Sequence, residues 1–515
     1  MSSARKHLRN LAFNWGGHAS TLLVMFFLSP YIVGKLDAVS YGIWSLLSVL
    51  TGYMGIFDLG VRASVGRHVA LYLGKDDPVG VDETIRAGFG FFSLVGGLIL
   101  VVGISLGWFF PILFKEIGPE HYDTVRVLLP LMVVNVWLSA IAAINSSVLA
   151  AHDRFDIARG VDMVVLLVRT VGTVYVLGMG WGLWGLVFAI MAGNVCAVIG
   201  NRICAGWVHK GLRIFPFLYT RKRFRELFSY GIPAAISNSA VKIIGQSDLI
   251  IVGLAISVSA VREYSVGGML ILYTYSFLKI INSTIFPSIQ KSIARGLDGE
   301  AKHLFYRQVR VSLSVGLVIY IGYAFYSEPF VNLWMLQDNF DLNSVRSSAM
   351  VMTVLAIANI PVLFTNPCKG YLAALGYVRF NAAITFTEAL VNLFFSIFFV
   401  LALDLGLAGV ALGTLVGRLL VPTILVPYHL SKNGNIPLSR FILSSVIPGI
   451  VAGVLFSLIC SFSIKIWYPE TWLLFFTHVF ILLLLWVPLF YFILLPDDYR
   501  KKINTKFKRV KYTKL

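Results

Sequence analysis

Long apolar runs alternate with short basic links along almost the whole chain. Fourteen runs reach membrane-crossing length, at about residues 11–34, 41–73, 87–110, 125–150, 157–178, 183–207, 229–256, 264–294, 309–327, 347–374, 380–403, 407–429, 441–464 and 471–495. Each is continuous, with no strict alternation of apolar and polar positions. The pattern therefore predicts membrane-spanning helices and argues against the shorter alternating strands of a barrel.

The basic residues set an orientation. With the N-terminus inside, 32 of the 43 Lys and Arg fall in cytoplasmic links. Only Lys35, Lys115, Arg126, Arg262, Arg346 and Lys465 fall outside, and five more lie within runs. An odd number of spans would destroy that imbalance, so both termini are expected in the cytoplasm.

The chain also repeats itself. GLWG at 182–185 recurs as GLAG at 406–409, an offset of 224, and LAAHDRF at 149–155 recurs as LAALGYVRF at 372–380. A weaker echo links VSYGIWSLL at 39–47 to REYSVGGML at 262–270. Two six-helix copies with an even helix count insert the same way round, as parallel repeats about an axis along the membrane normal. The expected fold is thus all-α, with about 14 transmembrane helices. Residues 1–215 form an N-lobe of spans 1–6 and 216–430 a C-lobe of spans 7–12. Residues 431–496 add spans 13 and 14, which have no counterpart, and 497–515 form a basic cytoplasmic tail. The basic linker around residues 203–230 is expected to join the lobes and touch anionic headgroups.

Composition agrees with a membrane protein. Hydrophobic residues make up 57% of the 515, charged residues 13%, and mean hydropathy is +0.80, too little charge for a soluble surface of this size. The net charge of +18 sits in the links and forms no basic face of a soluble domain, so nucleic acid is not an expected partner. Cys196, Cys204, Cys368 and Cys460 lie in or beside apolar runs without metal spacing, so neither metal nor disulfide is expected. Arg5, Lys6 and Arg9 precede a first helix with no small-residue cleavage site, which reads as uncleaved. No GxxxxGK[ST], HExxH or loop DxD occurs, and the outer links are short, so no catalytic residues, enzyme activity or cofactor are expected.

The candidate chemistry lies inside the runs. Arg62, Arg169, Lys242, Lys279 and Arg418 are cations at intramembrane positions, against the carboxylates Asp58, Asp248 and Glu388. A charge at mid-bilayer costs at least ~2.5–3.5 kcal/mol, so these groups must face other helices or a wet cavity. The 224-residue offset carries Asn14 to Asn238, His18 to Lys242, Asp58 to Asn282 and Asn194 to Arg418, which suggests one polar inner surface in each copy. Asp58 and Arg62 are spaced i,i+4 and can pair on one continuous helix. Buried Arg can also be satisfied structurally, by backbone carbonyls or by Glu388 on another helix. As a set, five cations against three acids favour an anionic passenger, and arginine in particular suits phosphate or pyrophosphate oxygens. The three carboxylates are candidates for coupling to H⁺ or Na⁺.

Asn14 in the first run, YGIWSLL opening the second and then FDLGVRASVGRHVA resemble the polysaccharide-exporter branch of the multidrug/oligosaccharidyl-lipid/polysaccharide flippase superfamily, and the LAAHDRF and GLWG segments fit it too. The resemblance covers most of residues 5–430. It implies two lobes in a V-shaped arrangement in a bacterial inner membrane. By alternating access these would move a polyprenyl-pyrophosphate-linked oligosaccharide, such as an O-antigen unit for lipopolysaccharide, to the periplasmic leaflet. An undecaprenyl-pyrophosphate-type glycolipid is then the substrate, membrane lipids are neighbours, and a polysaccharide polymerase and chain-length machinery are implied partners. The pyrophosphate would sit near Arg62, Arg169, Lys242, Lys279 and Arg418. Sugar hydroxyls would use polar groups such as Asn14, Asn238 and Asn282, with His18 and Asn194 completing the polar cavity. The rivals are a multidrug exporter of the same superfamily, which the cationic excess disfavours, and a membrane glycan polymerase or ligase, which the short outer links disfavour.

Overall fold

The computed structural model describes residues 3–55, 60–114, 117–209, 211–218, 220, 222–229, 246–495 and 500, with side chains from residue 16 onward except His18. Asp58, Asn238 and Lys242 lie outside the described residues, as do the side chains of Asn14 and His18. The regular elements among the described residues are helices. Ten are long and apolar enough to cross a membrane, and a bent pair makes an eleventh. Three shorter apolar helices cover Ala19–Lys35, Ala38–Met54 and Gln246–Ile256.

Contacts divide the chain into two compact units. Met1–Arg262 with Gln337–Asn339 form one, and Glu263–Leu336 with Phe340–Leu515 the other. The first holds α1 (Ser3–Lys35), α2 (Ala38–Met54), α3 (Val61–Leu73), α4 (Pro78–Leu113), α5 (Tyr122–Ala151), α6 (Phe155–Gly178), α7 (Gly182–Val208) and α8 (Gln246–Ile256). The second holds nearly all of α9 (Ala260–Ala294), then α10 (Asp298–Met335), α11 (Leu342–Asn359), α12 (Val362–Ala374), α13 (Val378–Leu401), α14 (Gly406–Leu420), α15 (Pro422–Asn433), α16 (Leu438–Ile466) and α17 (Trp472–Leu494).

Aspartates start several helices by accepting from otherwise unpaired amides of the first turn. Asp37 caps α2 through Ser40 N, Asp77 caps α4 through Gly80 N, and Asp341 caps α11 through Ser344 N, each at 2.9 Å. Turns carry the sequence repeat into the backbone. Left-handed residues occur at Gly180 and Asp404, Gly182 and Gly406, and Gly211 and Asn435, each pair 224 positions apart. Asp153 and Gly376 in the LAAHDRF and LAALGYVRF segments are left-handed as well.

Three apolar runs are not single straight helices. The second run breaks between α2 and α3, where Gly60 adopts φ 69°. A left-handed residue stands between α2 and α3, so the second run is not one continuous helix, and the expected pairing of Asp58 with Arg62 falls outside the described residues. The tenth run bends by 42° between α11 and α12, at Pro361, and the twelfth breaks at Pro422 between α14 and α15. Proline lacks the N–H and crowds the preceding turn.

Within the first unit the described part of the basic linker is a docked segment. Leu212, Phe217, Phe224, Leu227 and Phe228 pack into the apolar cluster built by α3, α4 and α5. Arg86 Nε donates to Pro216 O at 2.6 Å. Arg223 donates to Glu83 at 2.6 Å and Glu226 at 2.8 Å, and also to the Tyr72 hydroxyl. Burial alone would make that guanidinium easier to deprotonate, but these partners outweigh it and hold it above the usual arginine range. Arg223→Ala is expected to destabilise this unit by about 2–3 kcal/mol, the value of charge-assisted hydrogen bonds at a part-buried site. A lower Tm of the detergent-solubilised protein measures it. An unchanged Tm would mean that the aromatic packing alone holds the linker.

In the second unit, α13 and α14 approach closely through small residues. A Cβ added at Gly413 would sit 2.1 Å from Ser396 Oγ and 2.5 Å from Ser396 N, and backbone cannot swing aside as a side chain can. Gly413→Ala should therefore cost about 1–3 kcal/mol by overpacking, seen as reduced yield of folded protein and a lower Tm. Wild-type values for that variant would show that the two helices have room to part. The two C-terminal helices attach to α10 through a buried polar contact, in which His478 Nδ1 lies 3.0 Å from Tyr326 Oη and 3.2 Å from Ser463 Oγ. Rings surround it, with Trp467, Phe475 and Phe330 in edge or tilted contacts.

Candidate functional site

The first unit contains a cavity of about 510 Å³ between α1, α2, α3, α5, α6 and α7. Arg62, Arg169 and Asn194 line it, together with Trp44, Asp162 and Asn201. Two of the expected cations and one expected amide thus share a chamber. Arg169 is reached through a polar relay. Its Nη2 donates to Asn194 Oδ1 at 2.5 Å, and Asn194 Nδ2 donates to Asn135 Oδ1 at 3.0 Å. An amide orients a guanidinium but does not neutralise it. Among the described residues no carboxylate lies within salt-bridge distance of Arg169, and its buried Nε has no hydrogen-bond partner. Asp162, two helical turns away on α6, is more than half exposed and pairs with Arg159 at 3.0 Å. The guanidinium therefore keeps both positive charge and unused donor capacity towards the cavity.

Gly193 permits this arrangement. A Cβ there would meet Arg169 Cγ at 2.4 Å and push the side chain off its amide partner. The equivalent position in the second unit, Gly417, faces the backbone of Asn392 at 3.1 Å. In each unit a glycine and the polar residue after it, Gly193–Asn194 or Gly417–Arg418, meet the preceding helix.

The chemistry of that contact differs in the second unit. Arg418 Nε on α14 lies 3.8 Å from Glu388 Oε1 on α13, and Lys369 Nζ on α12 lies 3.4 Å from Glu388 Oε2. Lys369 also donates to Thr385 Oγ1 at 3.3 Å. All three charged side chains are less than a fifth exposed. The Tyr320 ring, fully buried on α10, lies in electrostatic reach of Arg418. Here a carboxylate stands between two cations, so Arg418 and Glu388, placed in separate roles by the sequence, are neighbours. Lys369 escaped notice because it falls near the end of its run, two residues after Pro367, where a lysine reads as a topology signal.

The remaining expected residues are spread out. Lys279 is exposed in the middle of α9, and Asn282, one turn further on, accepts from Gln308 Nε2 through its backbone carbonyl at 3.2 Å and its side-chain oxygen at 3.3 Å. Asp248 is buried on α8 in the first unit. Among the described residues no group of three or more His, Cys, Asp or Glu is placed to hold a metal.

A family profile described as "Polysaccharide biosynthesis protein" matches residues 89–340. A putative O-antigen transporter of Shigella flexneri is 22% identical over 352 residues, covering 65% of this chain and 78% of the relative. A probable low-salt glycan biosynthesis flippase, Agl15 of Haloferax volcanii, is 21% identical over 430 residues, covering 83% of this chain and 84% of the relative. Among solved structures, the lipid II flippase MurJ in an inward closed conformation superposes with a TM-score of 0.67 at 13% identity, over 92% of this chain and 98% of that one, which shows a shared fold. The named relatives are a transporter and a flippase, not enzymes, and the long apolar helices make this a multi-pass membrane protein. The family profile and these relatives make the chain similar to the polysaccharide-transporter branch of the multidrug/oligosaccharidyl-lipid/polysaccharide flippase superfamily.

Proposed function

We propose that this protein is a flippase for a lipid-linked glycan, moving a polyprenyl-pyrophosphate-linked oligosaccharide from the cytoplasmic to the periplasmic leaflet of a bacterial inner membrane. One observation carries the reading: Arg169 lines a cavity with its charge held by an amide and its Nε unspent. A planar fork of that kind suits the oxygens of a pyrophosphate. Arg62 adds a second cation to the chamber, and Asn194, Asn201 and Trp44 offer groups for sugar hydroxyls and ring faces. Lys279 supports a wet pathway, because an exposed ammonium half-way along a spanning helix is costly against hydrocarbon. Arg418, beside Glu388, serves the path less directly, and Lys242 is assigned by its repeat position alone.

In this reading the two units alternate between access to either side, and the polyprenyl chain stays in lipid. Asp248 and Glu388 are the described carboxylates available to couple the cycle to H⁺ or Na⁺, and Asp58 is the third candidate by sequence. Both termini lie in the cytoplasm, where a polymerase and chain-length machinery need not be reached; those partners act on the product across the membrane. The test is deletion of the gene in its host. Accumulation of a lipid-linked oligosaccharide on the cytoplasmic leaflet supports the proposal. Unchanged export of every surface glycan contradicts it.

A further inference from the structure

The chamber around Arg169 has a second polar level that the pyrophosphate seat leaves unused. Asp162 and Arg169 are seven residues apart on α6, and Asn194 and Asn201 are seven apart on α7, so each pair shares a helix face. All four line the one cavity. The two helices run antiparallel across a short turn, and their close approaches fix the register. A Cβ at Gly193 would meet Arg169 Cγ at 2.4 Å, and one at Gly200 would meet Val161 Cγ1 at 3.1 Å. Asn194, next to the first glycine, is the amide that holds Arg169. Seven residues on, the same register puts Asn201 level with Asp162. The two rungs are about 10 Å apart by the helical rise.

Their chemistry differs. Arg169 offers donors, whereas the second rung offers acceptors. Asn201 is only 3% exposed, its Nδ2 donates to the Ala197 carbonyl at 2.9 Å, and its buried Oδ1 has no hydrogen-bond partner. An interior acceptor without a donor is costly, so it gains when a ligand supplies one. Asp162 brings carboxylate oxygens to the same level, of which Oδ2 accepts from Arg159 Nη1 at 3.0 Å. An ionised phosphate has no donor to give this rung. A sugar hydroxyl has. The start of α6 and the end of α7 lie on the side that the Lys and Arg distribution assigns to the cytoplasm, so a glycan seated by its pyrophosphate at Arg169 extends towards this rung from the side where it enters.

We propose that Asn201 and Asp162 form a specificity subsite that accepts hydrogen bonds from hydroxyls on the second sugar of the passenger. The spacing of the rungs is roughly the reach of a disaccharide, so the first sugar lies between them and the second meets the acceptors. The preferred substrate is then a pyrophosphate-linked disaccharide or longer glycan with free hydroxyls on its second unit. The proposal rests on the reading of this chamber as the glycolipid seat.

Transport of two synthetic glycolipids by the purified full-length protein in proteoliposomes tests it. Both are polyprenyl pyrophosphates, one carrying a monosaccharide and the other a disaccharide, and impermeant periodate reports the leaflet of each. The wild type is expected to move the disaccharide about tenfold faster, the worth of one or two hydrogen bonds to a buried acceptor. Asn201→Leu should bring that ratio close to one, whereas Arg169→Ala should slow both lipids and keep the ratio. If Asn201→Leu folds poorly, Asp162→Leu, at the more exposed half of the rung, should cut the ratio by about threefold. Equal rates for the two lipids with the wild type, or an undiminished ratio in folded Asn201→Leu, overturns the subsite and leaves the flippase reading standing. A wild type that moves neither lipid refutes the flippase reading, and the subsite falls with it.

Discussion

Arg169→Ala should lower glycan export by about 10- to 100-fold while the protein stays abundant in the membrane. The guanidinium is held by Asn194 at 2.5 Å and reaches into a cavity of about 510 Å³. Each hydrogen bond from a charged donor to phosphate oxygen is worth ~1.5–3 kcal/mol, which sets that range for the loss of one or two contacts. The structural cost is small, because Asn194 keeps its bond to Asn135 at 3.0 Å and no carboxylate is stranded. Arg169→Lys should fall between, keeping the charge but losing the planar fork. Complementation of a deletion strain, scored by surface glycan and immunoblot together, measures both quantities. Export that persists in Arg169→Ala would place the pyrophosphate seat elsewhere, and a collapse in abundance would make the residue structural.

Glu388→Gln should have the largest effect on stability. The carboxylate stands 3.4 Å from Lys369 and 3.8 Å from Arg418, and is only 8% exposed. Removing its charge leaves two cations facing each other across a protein interior, a situation that costs about 3–5 kcal/mol. Glu388→Gln combined with Lys369→Gln should recover much of the loss, since one excess charge goes with its partner. Thermal unfolding of the four proteins in this cycle gives the coupling directly. A wild-type Tm for Glu388→Gln together with lost transport would instead assign the carboxylate to ion coupling.

The helical class, the apolar runs and the internal repeat were all legible in the sequence, because membrane insertion writes them as long-range patterns. The offset read from GLWG and GLAG reappears in the left-handed turns at Gly180 and Asp404 and at Gly182 and Gly406. Local geometry was less legible. The second apolar run reads as one span, yet Gly60 at φ 69° separates α2 from α3. Glycine can either continue a helix or end one, so the residue alone does not decide. The linker shows a similar limit. Its basic residues read as topology, yet Arg223 is satisfied by Glu83 and Glu226, and the former is far away in sequence. In the site, Arg169 and Asn194 stood out as polar residues in apolar runs, but their hydrogen bond depends on the approach allowed by Gly193. Lys369 was hidden because a lysine near a helix end carries two meanings, and only the fold around Glu388 separates them.

Leaflet-resolved transport by the purified protein addresses the central claim. A polyprenyl-pyrophosphate-linked oligosaccharide is placed in one leaflet of proteoliposomes, and its exposure to an external glycosidase is followed over time with wild type and with Arg169→Ala. The glycolipid should redistribute between leaflets with the wild type and remain largely where it was placed with the variant. Retention of the glycolipid by the wild type, with a lipophilic cation transported in its place, would contradict the account.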